Sequence, residues 1–269
     1  MAGEFIALLA GEGKMPVLVA DEIHGKGKKV LLLALKGITS PDLEAAADVT
    51  VWLYVTQVGK AVREASRYGC DEVVMAGRVL HNTIYTMPLW RMDFTMLRLW
   101  WGLKDRKADT ILSAIGDAFK NKGITLADTK QFLGSHIAQE GVLTEGLIPD
   151  NIMADIQFGV GIARDLGRAD VGQTVVVKGK AVVAVEAMEG TDRCLDRAGE
   201  IGGTGCVVIK MAKPQQDMRF DLPTIGKNTI EKLIKIKASA IAIEAGKTVV
   251  IDGDAIILAQ KNDIAVVAL

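Results

Sequence analysis

The chain is poor in the residues that would staple, stiffen or charge it. Among 269 residues there are three cysteines, Cys70, Cys194 and Cys206, odd in number and far apart. Neither a disulfide framework nor a zinc knuckle follows from that spacing, and a reducing compartment suits it. Histidine occurs three times, at His24, His81 and His136, in no ligand spacing, which argues against a histidine metal centre. Charge of one sign is also missing. The net charge of −1 offers no general pull toward nucleic acid. No apolar run approaches the roughly 18 residues of a membrane span. The opening MAGEFIALLAGEGKMP lacks a basic n-region and turns glycine-rich, so it does not read as a secretory signal.

What is present is apolar. Hydrophobic residues make up 49% and charged residues 24%, enough for a sizeable core and against disorder. The mean hydropathy of +0.25 suits buried parallel strands, or apolar surface kept for a greasy ligand. EFIALLA, KVLLLAL and DEVVMAG read as strands, and VTVWLYV as an apolar segment. Residues 15–24 and TQVGKAVREASRYG between them read as helices. Alternation at this spacing predicts a parallel α/β sheet. Residues 90–119 read as helical, and ITLADTKQFL closes the first unit. Around FLGSHIAQEGVLTEGLIPD the pattern breaks, which places a linker at about 133–150 and divides 1–132 from 133–269. A second α/β pattern follows, with strands TVVVKG, AVVAVEAM, GCVVIKM and IAVVAL.

Several short stretches carry chemistry. AGEGKMP, residues 10–16, lies between a strand and a helix. Gly11 and Gly13 would let the backbone approach a phosphate, or simply make a tight turn. Pro16 stands where a dinucleotide fingerprint has its third glycine, and no ribose-binding acid follows. That counts against a nicotinamide-dependent oxidoreductase, which NADH fluorescence would test. Gly77 and Arg78 follow a strand of the same sheet, where α/β folds collect ligands. MPLWRMDFTMLRLWWGL, residues 87–103, sets Trp90, Phe94, Leu97 and Trp101 at helical spacing. They form a core or homodimer face, or else an acyl-chain or inner-membrane contact. In VEAMEGTDRCLDRAGE, Thr191 reads as a helix cap, and Glu186 ends an apolar strand, a costly place for a carboxylate without a partner.

The most pointed stretch is KPQQDMRFDLPTIG, residues 213–226. In D-M-R-F-D-L the side chains of Asp217, Arg219 and Asp221 share one face of an extended chain. Pro214 and Pro223 disfavour a helix through it, and the next helix starts at a capping box of Asn228 and Glu231. Two carboxylates and a guanidinium suit a hard cation and a phosphate, Asp217 and Asp221 as metal ligands and Arg219 as phosphate partner. A charged surface strand would show the same alternation. A sugar-nucleotide sensor without catalysis is a rival, although a phosphate site that only binds gains nothing from acids.

IALLAGEGKMP, VVMAGRV, DTILSAI, VGQTVVVKG, AVEAMEGTD and KPQQDMRFDLPTIGKNTI, in this order along the chain, resemble the LpxI family, the UDP-2,3-diacylglucosamine diphosphatases of lipid A biosynthesis. The resemblance implies a cytoplasmic enzyme of two α/β domains, the first Rossmann-like, with a substrate cleft between them. It implies hydrolysis of the UDP-lipid to UMP and 2,3-diacylglucosamine 1-phosphate (lipid X), with Mg2+, or Mn2+ or Co2+ in its place. By position Asp221 matches the family's critical aspartate. Asp217 is the second ligand candidate, and Arg219 a phosphate partner. Glu189, Gly190, Thr191 and Lys213 would line that site, and Gly11, Gly13, Gly77 and Arg78 the nucleotide side. The chain lacks the metallophosphoesterase pattern of LpxH, which performs the same step elsewhere.

Overall fold

The computed structural model describes residues 3–79, 91–105, 108–214, 217–219 and 222–269. Trp90 and Asp221 lie outside the described residues. The chain forms two compact units, Met1–Gly134 with Asp217–Asp221, and Ser135–Gln216 with Leu222–Leu269.

In the first unit, β1 (Phe5–Ala10), β2 (Lys29–Leu35), β3 (Val49–Leu53), β4 (Glu72–Ala76) and β5 (Thr125–Leu126) make one parallel sheet, in the order β3-β2-β1-β4-β5. Six of the seven residues of β2 are buried. Such a run arises when both faces of a parallel strand are covered. On one face, Ala7, Leu31 and Leu33 pack with Val58 and Val62 of α2 (Val58–Arg67), Met96 of α3 (Phe94–Gly102) and Ile111 and Phe119 of α4 (Ala108–Lys120). The helix expected over 90–119 is thus two helices, because Leu103 takes an extended conformation at the end of α3. α1 (Met15–Gly25) begins with Pro16 in its first turn, where a missing N–H costs no helix hydrogen bond.

The second unit carries β6 (Gly141–Val142), α5 (Asp150–Arg168), β7 (Thr174–Lys178), β8 (Ala181–Val185), α6 (Thr191–Gly202), β9 (Val207–Lys210), β10 (Thr224–Ile225), α7 (Lys227–Lys235), β11 (Ala240–Ile243), β12 (Val249–Val250), α8 (Ala255–Gln260) and β13 (Ala265–Ala268). Its main sheet is mixed, in the order β6-β13-β11-β9-β7-β8, with β9, β11 and β13 parallel and the hairpin β7–β8 antiparallel. Gly179 and Lys180 make the hairpin turn with φ of 59° and 58°. Buried Asp155 of α5 accepts from both of their amides, at 2.8 and 2.6 Å. Side-chain alternation splits the core. Val176, Val208, Ile241 and Val266 face α6, α7 and α8, and Val175, Val177, Ile209 and Ala242 face α5. α5 lies close on the sheet through Gly159, where a Cβ would stand 2.4 Å from Ile209 Cδ1.

Two expected helix caps are replaced. α7 starts at Lys227, and its first amide donates to Asp252 Oδ2 at 2.7 Å, so the acceptor comes from a distant segment and not from Asn228. α6 starts at Thr191 itself, with Gly190 at φ 82° before it. The Thr191 hydroxyl donates to Glu186 instead of accepting from the helix.

Candidate active site

The strand order of the first unit fixes where its expected glycine motifs lie. From β1 the chain winds outward through β2 and β3, then returns to β4 on the other side of β1. The loops leaving β1 and β4 therefore diverge at the switch point of the sheet, where α/β folds open a crevice. Both expected glycine motifs lie there. Their backbones close on each other: Gly11 N donates to Ala76 O at 2.8 Å, Glu12 N to Arg78 O at 2.8 Å, and Arg78 N to Glu12 O at 2.9 Å. A Cβ on Gly11 would stand 2.6 Å from Arg78 O. On Gly77, at φ 89°, it would stand 2.8 Å from Pro16 Cγ and 2.9 Å from Glu12 O. These two glycines serve loop-to-loop contact. Gly13, at φ 103°, has open space around its Cβ position. Arg78 Nη2 lies 3.4 Å from Glu12 Oε2, with both side chains more than half exposed, so the pair is weak.

The segment from Asp217 packs with this first unit. It is a turn and not the extended strand that the alternation suggests. Asp217 Oδ1 accepts from Arg219 N at 3.1 Å, a local bond that closes the backbone. Arg219 then forks onto the same carboxylate, Nε to Oδ1 at 2.9 Å and Nη2 to Oδ2 at 2.6 Å. That hydrogen bond from Arg219 is the main reason the Asp217 carboxyl sits below the usual carboxylate range, and Asp217 raises Arg219 in turn. Asp117 and Asp128 add weaker negative potential at the guanidinium. Behind the turn, fully buried Thr129 holds the Arg219 carbonyl through its amide at 3.2 Å and its hydroxyl at 2.5 Å. The same hydroxyl lies 3.1 Å from Met75 O. The turn is thereby docked beside β4, one residue short of the strand's end. Thr129 carries no motif, and no sequence signal marks it.

Among the described residues no group of three His, Cys, Asp or Glu side chains is placed to hold a metal. Asp217 is the described half of the expected ligand pair. Its oxygens accept from the Arg219 amide, Nε and Nη2, four contacts that take up the roughly four lone-pair directions of a carboxylate, so a hard cation would have to share these oxygens with Arg219.

In the second unit the expected residues separate into three sets. Glu189 staples its own loop: Oε2 accepts from Ala187 N at 3.1 Å and Oε1 from Arg197 Nη2 at 2.6 Å. Its own backbone amide and then Arg197 hold its carboxyl below the usual range. Lys213 is paired with Asp170 at 2.9 Å. Thr191 belongs with Glu186, which is 7% exposed, and with Thr174, whose hydroxyl is 3.5 Å away. Thr174 is the cross-strand partner of Lys210, also 7% exposed, whose Nζ donates to Thr224 O at 2.9 Å. Lysine at the end of GCVVIKM was the available signal for this buried cation, and it reads equally well as a strand leaving the core. A depression of about 290 Å³ in this unit, lined by Thr144, Leu147, Ile152 and Gln260 among others, includes none of the expected site residues.

On α3 the reading of Phe94, Leu97 and Trp101 as core is overturned. Phe94 and Trp101 are each 81% exposed and Leu97 is 39% exposed, whereas Met96 faces inward. No helix among the described residues is long and apolar enough to cross a membrane.

Residues 5–136 match the LpxI N-terminal domain family, and residues 139–267 the LpxI C-terminal domain family. A protein of Caulobacter vibrioides named UDP-2,3-diacylglucosamine pyrophosphatase LpxI is 31% identical over 267 residues, covering 96% of this chain and 94% of its own. Among solved structures, the biotin carboxylase domain of Hydrogenobacter thermophilus 2-oxoglutarate carboxylase is 11% identical with a TM-score of 0.29, over 75% of this chain and 42% of that one. Biotin carboxylase of Campylobacter jejuni is 12% identical with a TM-score of 0.25, over 74% and 42%. Likeness that faint carries no argument. The two domain matches and the full-length relative do, and by them the chain belongs to the LpxI family.

Proposed function

We propose that this chain hydrolyses the pyrophosphate bond of UDP-2,3-diacylglucosamine, releasing UMP and 2,3-diacylglucosamine 1-phosphate. The observation that carries this reading is the relative of that name, aligned over 96% of the chain. The geometry of Arg219 supports it. Its bonds to Asp217 use Nε and Nη2, and among the described residues Nη1 makes no hydrogen bond, so it can donate to a phosphate oxygen. Asp217 in this reading is a positioning residue that fixes the plane of the guanidinium. A water attacks one phosphorus in line with the leaving oxygen, and Arg219 offsets the charge that grows on the phosphate oxygens. Asp221 orients that water or, with Asp217, ligates a divalent cation, Mg2+ or Mn2+ or Co2+ in its place. When bound, that cation would neutralise the diphosphate and hold it in place. Phe94, Leu97 and Trp101 offer the exposed apolar surface that a diacylated substrate needs.

Incubating the protein with the UDP-lipid and Mg2+ and following UMP tests the reading directly. UMP should form, stop on chelation, and be absent with a folded Asp221→Ala variant. Absence of UMP from the wild type would remove the proposal. An Asp221→Ala variant of wild-type rate would remove the role given to Asp221.

A further inference from the structure

At the start of α6 the second unit buries a carboxylate that its own chain leaves half satisfied. Glu186 follows β8 and is 7% exposed. Its Oε1 accepts the Thr191 hydroxyl proton at 3.1 Å, which places the carboxylate at the first residue of the helix. Oε2 has no hydrogen-bond partner among the described residues. Meanwhile α6, twelve residues long, begins after Gly190 with no side-chain cap hydrogen bond among the described residues. One unmet acceptor and an uncapped helix start are thus gathered at one spot. Glu189 is not a rival acceptor, because both of its oxygens are in use.

A buried carboxylate with an unmet oxygen is expensive, and such groups persist where a ligand completes them. The charge decides which ligand. A bare helix start attracts an anion. Here Glu186 offsets the positive end of the helix, and Asp192 in the first turn adds to it. A phosphate brought to this spot would meet fixed negative charge. A hydroxyl would not, since it can donate to the carboxylate and accept from a first-turn amide at once. The Thr191 hydroxyl, its proton committed to Glu186, can only accept toward a ligand.

We propose that Glu186, Thr191 and the first turn of α6 form a subsite for a sugar hydroxyl of the substrate, and not for its diphosphate. The identity of the sugar rests on the function proposed above. The place at the end of the sheet is consistent with this: Thr174 and Lys210 lie where β7 runs antiparallel to β9, next to the carboxyl ends of the parallel strands.

The test uses the full-length protein, its Glu186→Gln and Glu186→Ala variants, and UDP-2,3-diacylglucosamine with analogues lacking one hydroxyl each, at ribose 2′ or 3′ or glucosamine 4 or 6. Glu186→Gln should melt at or above the wild-type temperature, because it removes a half-met buried charge, while kcat/KM falls about 10- to 100-fold, chiefly through KM. For one analogue, the loss seen with wild type should vanish in Glu186→Ala, and the other losses should multiply with the mutation. A lower melting temperature for Glu186→Gln would make the residue structural and overturn the inference. So would wild-type kcat/KM in both variants, or penalties that multiply for all four analogues. A wild type that releases no UMP from the parent substrate fails the functional reading as well, which sets that failure apart from the others.

Discussion

Arg219 and Asp217 are two residues apart and their side chains form a fork, Nε on Oδ1 at 2.9 Å and on Oδ2 at 3.1 Å, and Nη2 on Oδ2 at 2.6 Å. The fork needs a planar guanidinium, and a lysine ammonium cannot reproduce it. Asp217→Asn should leave the protein folded and lower kcat/KM for UMP release by about 100-fold, the scale of a misplaced positioning group. Arg219→Lys should be no better, although it keeps the charge. Wild-type rates from Arg219→Lys would show that a point charge is enough.

The switch-point glycines differ in what they would suffer. Gly11→Ala puts a methyl 2.6 Å from a backbone oxygen, and Gly77→Ala adds a positive φ to a similar clash. Each should cost about 1–3 kcal/mol in urea unfolding. Gly13→Ala meets no atom and strains only φ, so about 1 kcal/mol is expected. Equal losses at all three positions would contradict the loop-to-loop role of Gly11 and Gly77.

Asp196 supplies a pH signature. Hydrogen bonds from Lys232 and then Lys235, at 2.7 and 2.8 Å, hold its carboxyl down to about 2. A depressed carboxylate stabilises the fold above its unfolded value and loses that contribution as pH falls through its folded value. The melting-temperature gap between wild type and Asp196→Asn should therefore be steady at neutral pH and close between about pH 4 and pH 2. High salt should narrow it throughout, since the three groups are partly exposed. A gap that widens on acidification would refute the assignment.

Phe94→Ser with Trp101→Ser removes apolar area that solvent already reaches, so the melting temperature should move by less than a core change would move it. KM for the diacylated substrate should rise, and KM for a short-chain analogue should not. An equal rise for both substrates would detach α3 from the acyl chains.

The alternation of apolar runs with helices was enough to read the parallel first sheet and β7, β8, β9 and β13 of the second unit, whereas β6, β10 and β12, two residues each, are too short to announce themselves as apolar runs. The nearness of Asp217 and Arg219 was also legible, although the extended strand it was read from is a turn in the structure. The turn was not, because it depends on Asp217 accepting the amide of Arg219. Helix starts misled for a common reason. Thr191 and Asn228 are good caps by residue type, yet Glu186 and Asp252, from other segments, set the hydrogen bonding there. Thr129 was invisible in principle, for its partner is 90 residues away.

The five-residue segment Asp217–Asp221 belongs to the same compact unit as Met1–Gly134. A fragment cut after Gly134 would thus be missing a piece of its own packing, including the carbonyl that Thr129 holds. The halves of this chain therefore cannot be traded as self-sufficient cassettes: a chimera joined in the linker inherits this return loop from one parent and its receptor from the other.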